Sequence, residues 1–211
     1  IVSTYDLNAI EAAVQLASAH EDSKVVCVSV ADAKADDSKL KKGILARGVD
    51  ELYMTADDAC KGLDARGTAA ALAELVSKVG GFDVILCGDG SADNYAQQVD
   101  VQLAAKLGLP VVTAATKISA LDGALEVERT LEDVVEVVEV PLPAVVSVAP
   151  DIALPRIPGM KDILAAGKKP MDVKGAPVAP VSAVEVVSCA APEAAERACN
   201  VADASADGAI E

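Results

Sequence analysis

Apolar and polar positions over the first 110 residues switch repeatedly between two periods. Leu7, Ile10, Val14 and Ala17 recur at helical spacing, with Asp6 placed as an N-cap. Residues 25–30 (VVCVSV) form a short run rich in β-branched side chains, which predicts a buried strand. A polar loop over 31–39 follows, and Leu40, Ile44 and Leu45 then mark a short helix closed by Gly48. Residues 51–54 (ELYM) predict a strand, 64–79 a helix despite Gly67, and 83–87 (DVILC) another strand. After the loop GDGSADN a helix is expected from Tyr95 to Leu107, ended by Gly108, and Pro110 prevents its continuation.

Alternation of helix and strand argues for an α/β fold with a doubly wound, mostly parallel sheet. Right-handed crossovers bring the carboxyl ends of such strands to one edge, where open α/β sheets hold ligands at the switch point. Beyond Pro110 the character changes. VVTAATKIS, ALEVERT and DVVEVVEV read as strands, with a turn at Leu121-Asp122-Gly123, and 143–148 (PAVVSV) as a further buried strand. This predicts an antiparallel hairpin extension sharing the sheet. Four prolines within 150–170 exclude one regular element there. From Met171 the chain lacks large anchor residues and is expected to be an arm or tail. The organisation read from this is an α/β domain over 1–150, a connecting stretch over 151–170 and a C-terminal arm over 171–211. Sheets of this kind normally open with a strand, so a strand and loop preceding the first helix are expected.

Composition narrows the function. The chain of 211 residues carries a net charge of −15, and only 2 % of it is aromatic. Such charge repels a phosphate backbone, and base-stacking platforms need aromatics this chain lacks. No apolar run approaches the roughly 20 residues that span a bilayer. The apolar fraction of 52 % is too high for a disordered chain.

The five cysteines form no C-x-x-C pair, and Cys27 and Cys87 sit inside apolar runs as small hydrophobes. This reads as a reduced, cytoplasmic protein with no metal site. His20, the single histidine, ends a helix beside Glu21 and Asp22 and reads as a surface residue. Ser-His-Asp and Cys-His mechanisms would both depend on it, and no nucleophile elbow is present, so a hydrolase is disfavoured.

The most informative stretch is 86–109, LCGDGSADNYAQQVDVQLAAKLGL. A strand ends at Cys87, and a Gly-rich turn leads to a helix whose free amides and dipole would face an anion. Gly88 and Gly90 allow close backbone approach. Gln97 and Gln98 offer donors and acceptors. An ordinary strand–loop–helix connection explains the stretch equally well, since neither a Walker motif nor G-x-G-x-x-G is present. Asp89 and Asp93 repel phosphate unless they bind ribose hydroxyls or a metal. Lys41–Lys42 reads as a solvated helix face, whereas Lys168–Lys169 could tie its segment to an acidic partner or a phosphate. Glu136 and Glu139 read as the outer face of a strand.

The run LCGDGSADNYAQQV followed by LAAKLGLP resembles the β subunit of electron-transfer flavoproteins, most closely the FixA type. Residues 3–13 (STYDLNAIEAA), 46–52, 64–73, 127–133 with 142–148, and 155–170 (PRIPGMKDILAAGKKP) are similar to segments of that family in the same order, covering about 3–170. The resemblance implies an adenine-nucleotide-binding α/β fold and a larger α subunit (FixB type) as partner. It implies non-covalent FAD as cofactor, or AMP alone in ordinary members. By resemblance the cofactor-binding residues are Ser3, Thr4, Tyr5 and Asp6, then Ser29 and Val30 at a strand end, then Gly88, Asp93, Asn94, Ala96, Gln97, Gln98, Val99, Asp100 and Val101. The stretch 151–170 resembles the partner-recognition loop, with Arg156, Ile157 and Met160 as partner-binding residues, together with Arg129. Two departures stand out. Asp100 replaces a usual Gly and would repel a phosphate, and Thr130 replaces a usual Glu.

The implied function is that of a β subunit passing electrons from NADH to a quinone-linked reductase and to ferredoxin or flavodoxin by electron bifurcation. No side chain is expected to act as an acid–base catalyst. The alternatives are an AMP-binding structural subunit without a redox role, and a nucleotide-sensing α/β module, whose Gly-rich phosphate motif is not found here.

Overall fold

The computed structural model describes residues 2–91, 94–176 and 181–193. Helix α1 (Thr4–Ser18) leads into β1 (Val26–Ala31), α2 (Ser38–Leu45), β2 (Glu51–Ala56), α3 (Ala65–Val79), β3 (Val84–Gly88) and α4 (Val99–Leu107). Four strands then follow: β4 (Val111–Leu121), β5 (Ala124–Thr130), β6 (Val135–Pro141) and β7 (Ala144–Val148). The short helix α5 (Met160–Ala166) and β8 (Met171–Lys174) end the regular structure. The doubly wound α/β fold is the one expected, and its strands fall into two sheets. One has the order β1-β2-β8, all parallel, and the other the order β3-β7-β4-β5-β6. Parallel pairing joins β3, β7 and β4, and the hairpin β5-β6 extends that sheet antiparallel. Gly123, at φ +72°, makes the turn between β4 and β5 where it was expected.

Several boundaries differ from the sequence reading. The first helix begins at Thr4 with Ser3 as N-cap, so Asp6 lies in its first turn and is not the cap. Helix α4 begins at Val99, not Tyr95, because Tyr95 (φ 44°) and Gln97 (φ 51°) are left-handed and cannot propagate a helix. The proline-rich stretch holds a helix of seven residues, α5, once its last interior proline is passed. Residues 171–174 are not tail: they pair with Leu52–Thr55 of β2. Further along, the backbone amides of Ala183 and Val184 donate to Asp64 Oδ2 at 2.6 and 2.9 Å. Asp64 also caps α3 through the Gly67 amide. One carboxylate thus starts a helix and fastens the arm.

Two hydrophobic clusters fill the fold. Val112, Leu125, Val127, Val146 and Val148 centre the first, beneath the larger sheet. Ile44, Leu45, Val49, Leu52 and Met54 centre the second, beneath the smaller. Each such side chain contributes roughly 1.5–3 kcal/mol on burial. Helix α1 serves both, since Ala9 belongs to the first cluster and Ile10 packs on the second. Lys169, a candidate for tying its segment to an anion, instead donates to the Leu45 and Val49 carbonyls at 3.1 and 2.6 Å, satisfying carbonyls at the end of α2.

The polar face of α1 grips the stretch after β7. Asn8 Nδ2 donates to the carbonyls of Pro150 and Ala153, each at 2.8 Å. One turn later the buried Glu11 takes a two-pronged bond from Arg156, Nε to Oε2 at 2.6 Å and Nη2 to Oε1 at 2.9 Å. The Arg156 guanidinium holds the Glu11 carboxyl down at about 2, well below its ordinary value of 4.5. This stabilisation is complete above pH ~4.5 and is lost as pH falls from there toward about 2. Arg156→Ala leaves Glu11 buried without its guanidinium, keeping only the bonds from the Gln15 side chain and the residue-156 amide. It is expected to cost about 2 kcal/mol at pH 7, below the usual range for a buried pair because the guanidinium is partly solvated. Denaturant unfolding at pH 7 and pH 3 checks this, and the gap from the unsubstituted protein should shrink at the lower pH.

Candidate functional site

The carboxyl end of β3 meets the amino end of α1. There is no room for a side chain between them: a Cβ on Gly88 would lie 2.6 Å from Tyr5 Cβ and 2.7 Å from the Tyr5 carbonyl carbon. The Gly88 amide donates to Asp6 Oδ1 at 3.2 Å. Beyond it, Gly90 lies flat beneath the Tyr95 ring. The rings of Tyr5 and Tyr95 stand 5.7 Å apart, tilted by 44°. Residues 3–6 therefore meet Gly88, Gly90 and Tyr95 at the carboxyl end of β3, the edge where an open α/β sheet has its crevice.

The crevice has a wet rim and a dry inner wall. Thr4, Asn94, Ala96, Gln97 and Gln98 are exposed, and the backbone over 95–98 runs outside any helix. Gln98 is the N-cap residue of α4, and its side-chain carbonyl accepts from Gln102 at 3.2 Å. Val99 and Val101 are half-buried in α4. On the inner wall Asp89 and Asp100 are buried, at 6 % and 4 % exposure. Asp89 Oδ2 takes a long bond from the Tyr95 hydroxyl at 3.3 Å. Burial pushes the Asp89 carboxyl pKa up, against the pull of Tyr95 and Gln97. Asp6 keeps much of its surface in solvent, yet the protein mass around it raises its pKa, and the Gly88 amide opposes that rise. Asp89 Oδ1, Asp100 Oδ1 and Ser3 Oγ are buried without a hydrogen-bond partner among the described residues.

The remaining expectations are placed less closely. Ser29 and Val30 lie half-buried on β1. Neither makes a side-chain hydrogen bond to the crevice, although Cys27 on the same strand is near enough for the Asp6 charge to act on it. Burial pushes the Cys27 thiol up to about 12, and raises that of Cys87 as well. Both behave as protonated small hydrophobes. Asp93 lies outside the described residues. Arg129 is engaged within its own hairpin, with Nε 3.1 Å from Glu136 Oε2. Arg156 faces Glu11, so it holds the loop, whereas Ile157 and Met160 stand 93 % and 73 % exposed. Glu136 and Glu139 both lie exposed although, three residues apart in one strand, they point to opposite faces; Glu136 pairs with Arg129 across the hairpin. His20 is exposed at a separate groove of about 440 Å³ between α1 and β4, also lined by Gln15 and Lys117, which shares no residue with the crevice. Among the described residues no group of three acidic, His or Cys side chains could hold a metal.

Asn8 and Glu11 were not anticipated as functional. The available signal was polar residues set beside the apolar stripe of α1, which a solvated helix face produces equally. Ser147 also escaped notice, inside an otherwise apolar strand.

Gly88→Ala is expected to destabilise by about 1–3 kcal/mol, because the new methyl meets backbone and cannot be avoided by a rotamer change. Gly43→Ala, inside α2 with only the Arg47 guanidinium near at 3.8 Å and no left-handed backbone, serves as the comparison for glycine replacement without a clash. Thermal unfolding of both variants checks this; equal melting temperatures would place Gly88 outside a tight contact.

No helix among the described residues is long and apolar enough to cross a membrane. The model of the electron transfer flavoprotein domain matches residues 1–179, most of the chain and all of the crevice described above. The protein belongs to the electron transfer flavoprotein family.

Proposed function

We propose that this chain is the β-type, FixA-like subunit of a heterodimeric electron transfer flavoprotein and that its crevice holds the adenosine diphosphate portion of FAD. The observation carrying the reading is the crevice itself, where Gly88 and Gly90 let the backbone pack closely on Tyr5 and Tyr95 and three buried oxygens, on Ser3, Asp89 and Asp100, lack partners among the described residues. Buried polar groups are normally satisfied, so unpaired ones at a crevice mark a place for a ligand. The residues present fit a nucleotide: aromatic rings of Tyr5 and Tyr95 on one side, amides over 96–98 at the rim, and acceptors within. Asp93 is the one cofactor residue of this reading outside the described segments.

A bound flavin supplies the hydride and one-electron chemistry. This chain's own residues bind and orient. The close contact of Gly88 with Tyr5 sets the depth of the crevice, and the Asp6–Gly88 bond keeps the two segments together. No side chain of the site is arranged as a nucleophile and base. The donor in this reading is NADH, and the acceptors are a quinone-linked reductase together with ferredoxin or flavodoxin, reached by electron bifurcation in the cytoplasm.

Two exposed apolar surfaces suit the partners. Leu154, Ile157, Met160 and Leu164 project from the loop held by Asn8 and Glu11 and fit a redox partner. Val181, Val184, Val186 and Val187 are exposed along the arm fastened at Asp64 and fit the larger α subunit. Exposed apolar groups in a short span mark an interaction surface. The second reading, AMP as a purely structural ligand, uses the same crevice.

Mass spectrometry of nucleotide released from the native complex separates them. About two flavins per heterodimer are expected; one flavin with AMP would favour the structural subunit, and no nucleotide would remove both. Met160→Asp is expected to slow electron transfer to at least one redox partner about tenfold without changing flavin content. Equal rates to every partner would remove the loop from docking.

A further inference from the structure

The inner wall of the crevice carries buried acceptors. Asp89 and Asp100 are both more than nine-tenths buried, and each has an oxygen without a partner among the described residues. Asp100 sits in the first turn of α4, the position where a free helix end would otherwise attract an anion. A third polar group faces the same place. Ser147 on β7 is the register partner of Cys87 on β3, so both side chains project from one face of the sheet. Burial raises the Cys87 thiol and the charges of Asp100, Asp6 and Asp89 add to that rise, while the Asp89 amide donates to the carbonyl of Val148, next to Ser147, at 3.2 Å. Ser147 is fully buried, and its hydroxyl has no partner either.

A phosphate brought here would meet two buried carboxylates. At an effective dielectric of about 20, one like-charge contact near 4 Å is worth about 4 kcal/mol before screening. A ligand group that donates hydrogen bonds meets the opposite situation, since each donated bond satisfies an oxygen that is otherwise unpaired. Within a nucleotide, the neutral donor-rich part is the sugar with its vicinal hydroxyls. Carboxylates are the acceptors that read such a diol in other dinucleotide folds.

We propose that Asp100 and Asp89 read the sugar hydroxyls of the nucleotide, and that Asp100 denies the start of α4 to phosphate, confining phosphate to the backbone amides over 96–98. This inference rests on the nucleotide reading given above. It makes Asp100 a specificity-determining residue: the site selects for a sugar diol and draws little affinity from a phosphate at that helix end.

The test uses the full chain and three probes, adenosine, AMP and 2′,3′-dideoxyadenosine, with dissociation constants from isothermal titration. The unsubstituted protein is expected to bind adenosine and AMP within about threefold of each other and the dideoxy compound at least about tenfold more weakly, a loss matching one good hydrogen bond to a charged acceptor. In Asp100→Asn, adenosine is expected to weaken severalfold while the AMP-to-adenosine affinity ratio rises about tenfold in favour of AMP. Circular dichroism of the variant confirms folding, and the dideoxy comparison on the unsubstituted protein decides the matter independently of it. Equal binding of all three probes overturns this inference while leaving nucleotide binding intact. An unchanged AMP-to-adenosine ratio in Asp100→Asn overturns the exclusion of phosphate. Binding of none of the probes overturns the inference and the nucleotide reading together.

Discussion

The close approach of Gly88 to the first turn of α1 is the constraint from which the remaining features follow. A sheet ends where β3 ends, and a helix must begin against it with no side chain between. That contact places Asp6 on the Gly88 amide, sets Tyr5 opposite Tyr95 and opens a crevice whose inner wall is built from Asp89 and Asp100. The contact also aligns the rest of α1. With its start pinned, Ala9 and Ile10 reach the cores of the two sheets, and Asn8 and Glu11 reach the loop after β7. One helix therefore ties together ligand crevice, packing and the exposed loop.

Electrostatics divide the chain's surplus negative charge into two kinds. Glu11 and Asp64 are acids with donors aimed at them, and their charge organises structure: a loop in one case, a helix start and an arm in the other. Asp89 and Asp100 are acids with incomplete partners, held in a place of low solvent access. An unsatisfied buried acceptor costs stability, on the order of 1–3 kcal/mol. Such sites persist where another molecule completes them, and this is the physical reason to read the crevice as a binding site.

Much of this was legible in the sequence, and the failures have particular causes. The strands VVCVSV and DVILC declared themselves by β-branched content, and the turn at Gly123 by its residue type. The start of α4 was misplaced because helical spacing continues back through Tyr95, while the left-handed backbone at Tyr95 and Gln97 is a tertiary outcome with no local signal. Strand β8 was missed because four residues carry too little pattern; it forms only because β2 offers an edge. A crevice was expected from Gly88 and the loop after it, and the start of α1 meets that loop. Its acidic lining was visible as residue types, but burial of Asp100 and its lack of a partner were not, since the same acid on a free helix end would be solvated. The family match over 1–179 supports the crevice as the place to look without assigning what it holds.

The claim that the start of α1 and the loop after β3 form one nucleotide cradle is tested most directly by photolabelling with 8-azido-AMP and mapping the modified peptides. The account predicts label in the peptide holding residues 3–6 and in the peptide holding 88–101, both suppressed by excess AMP. Label confined to the groove between α1 and β4, or to residues 150–170, would contradict it.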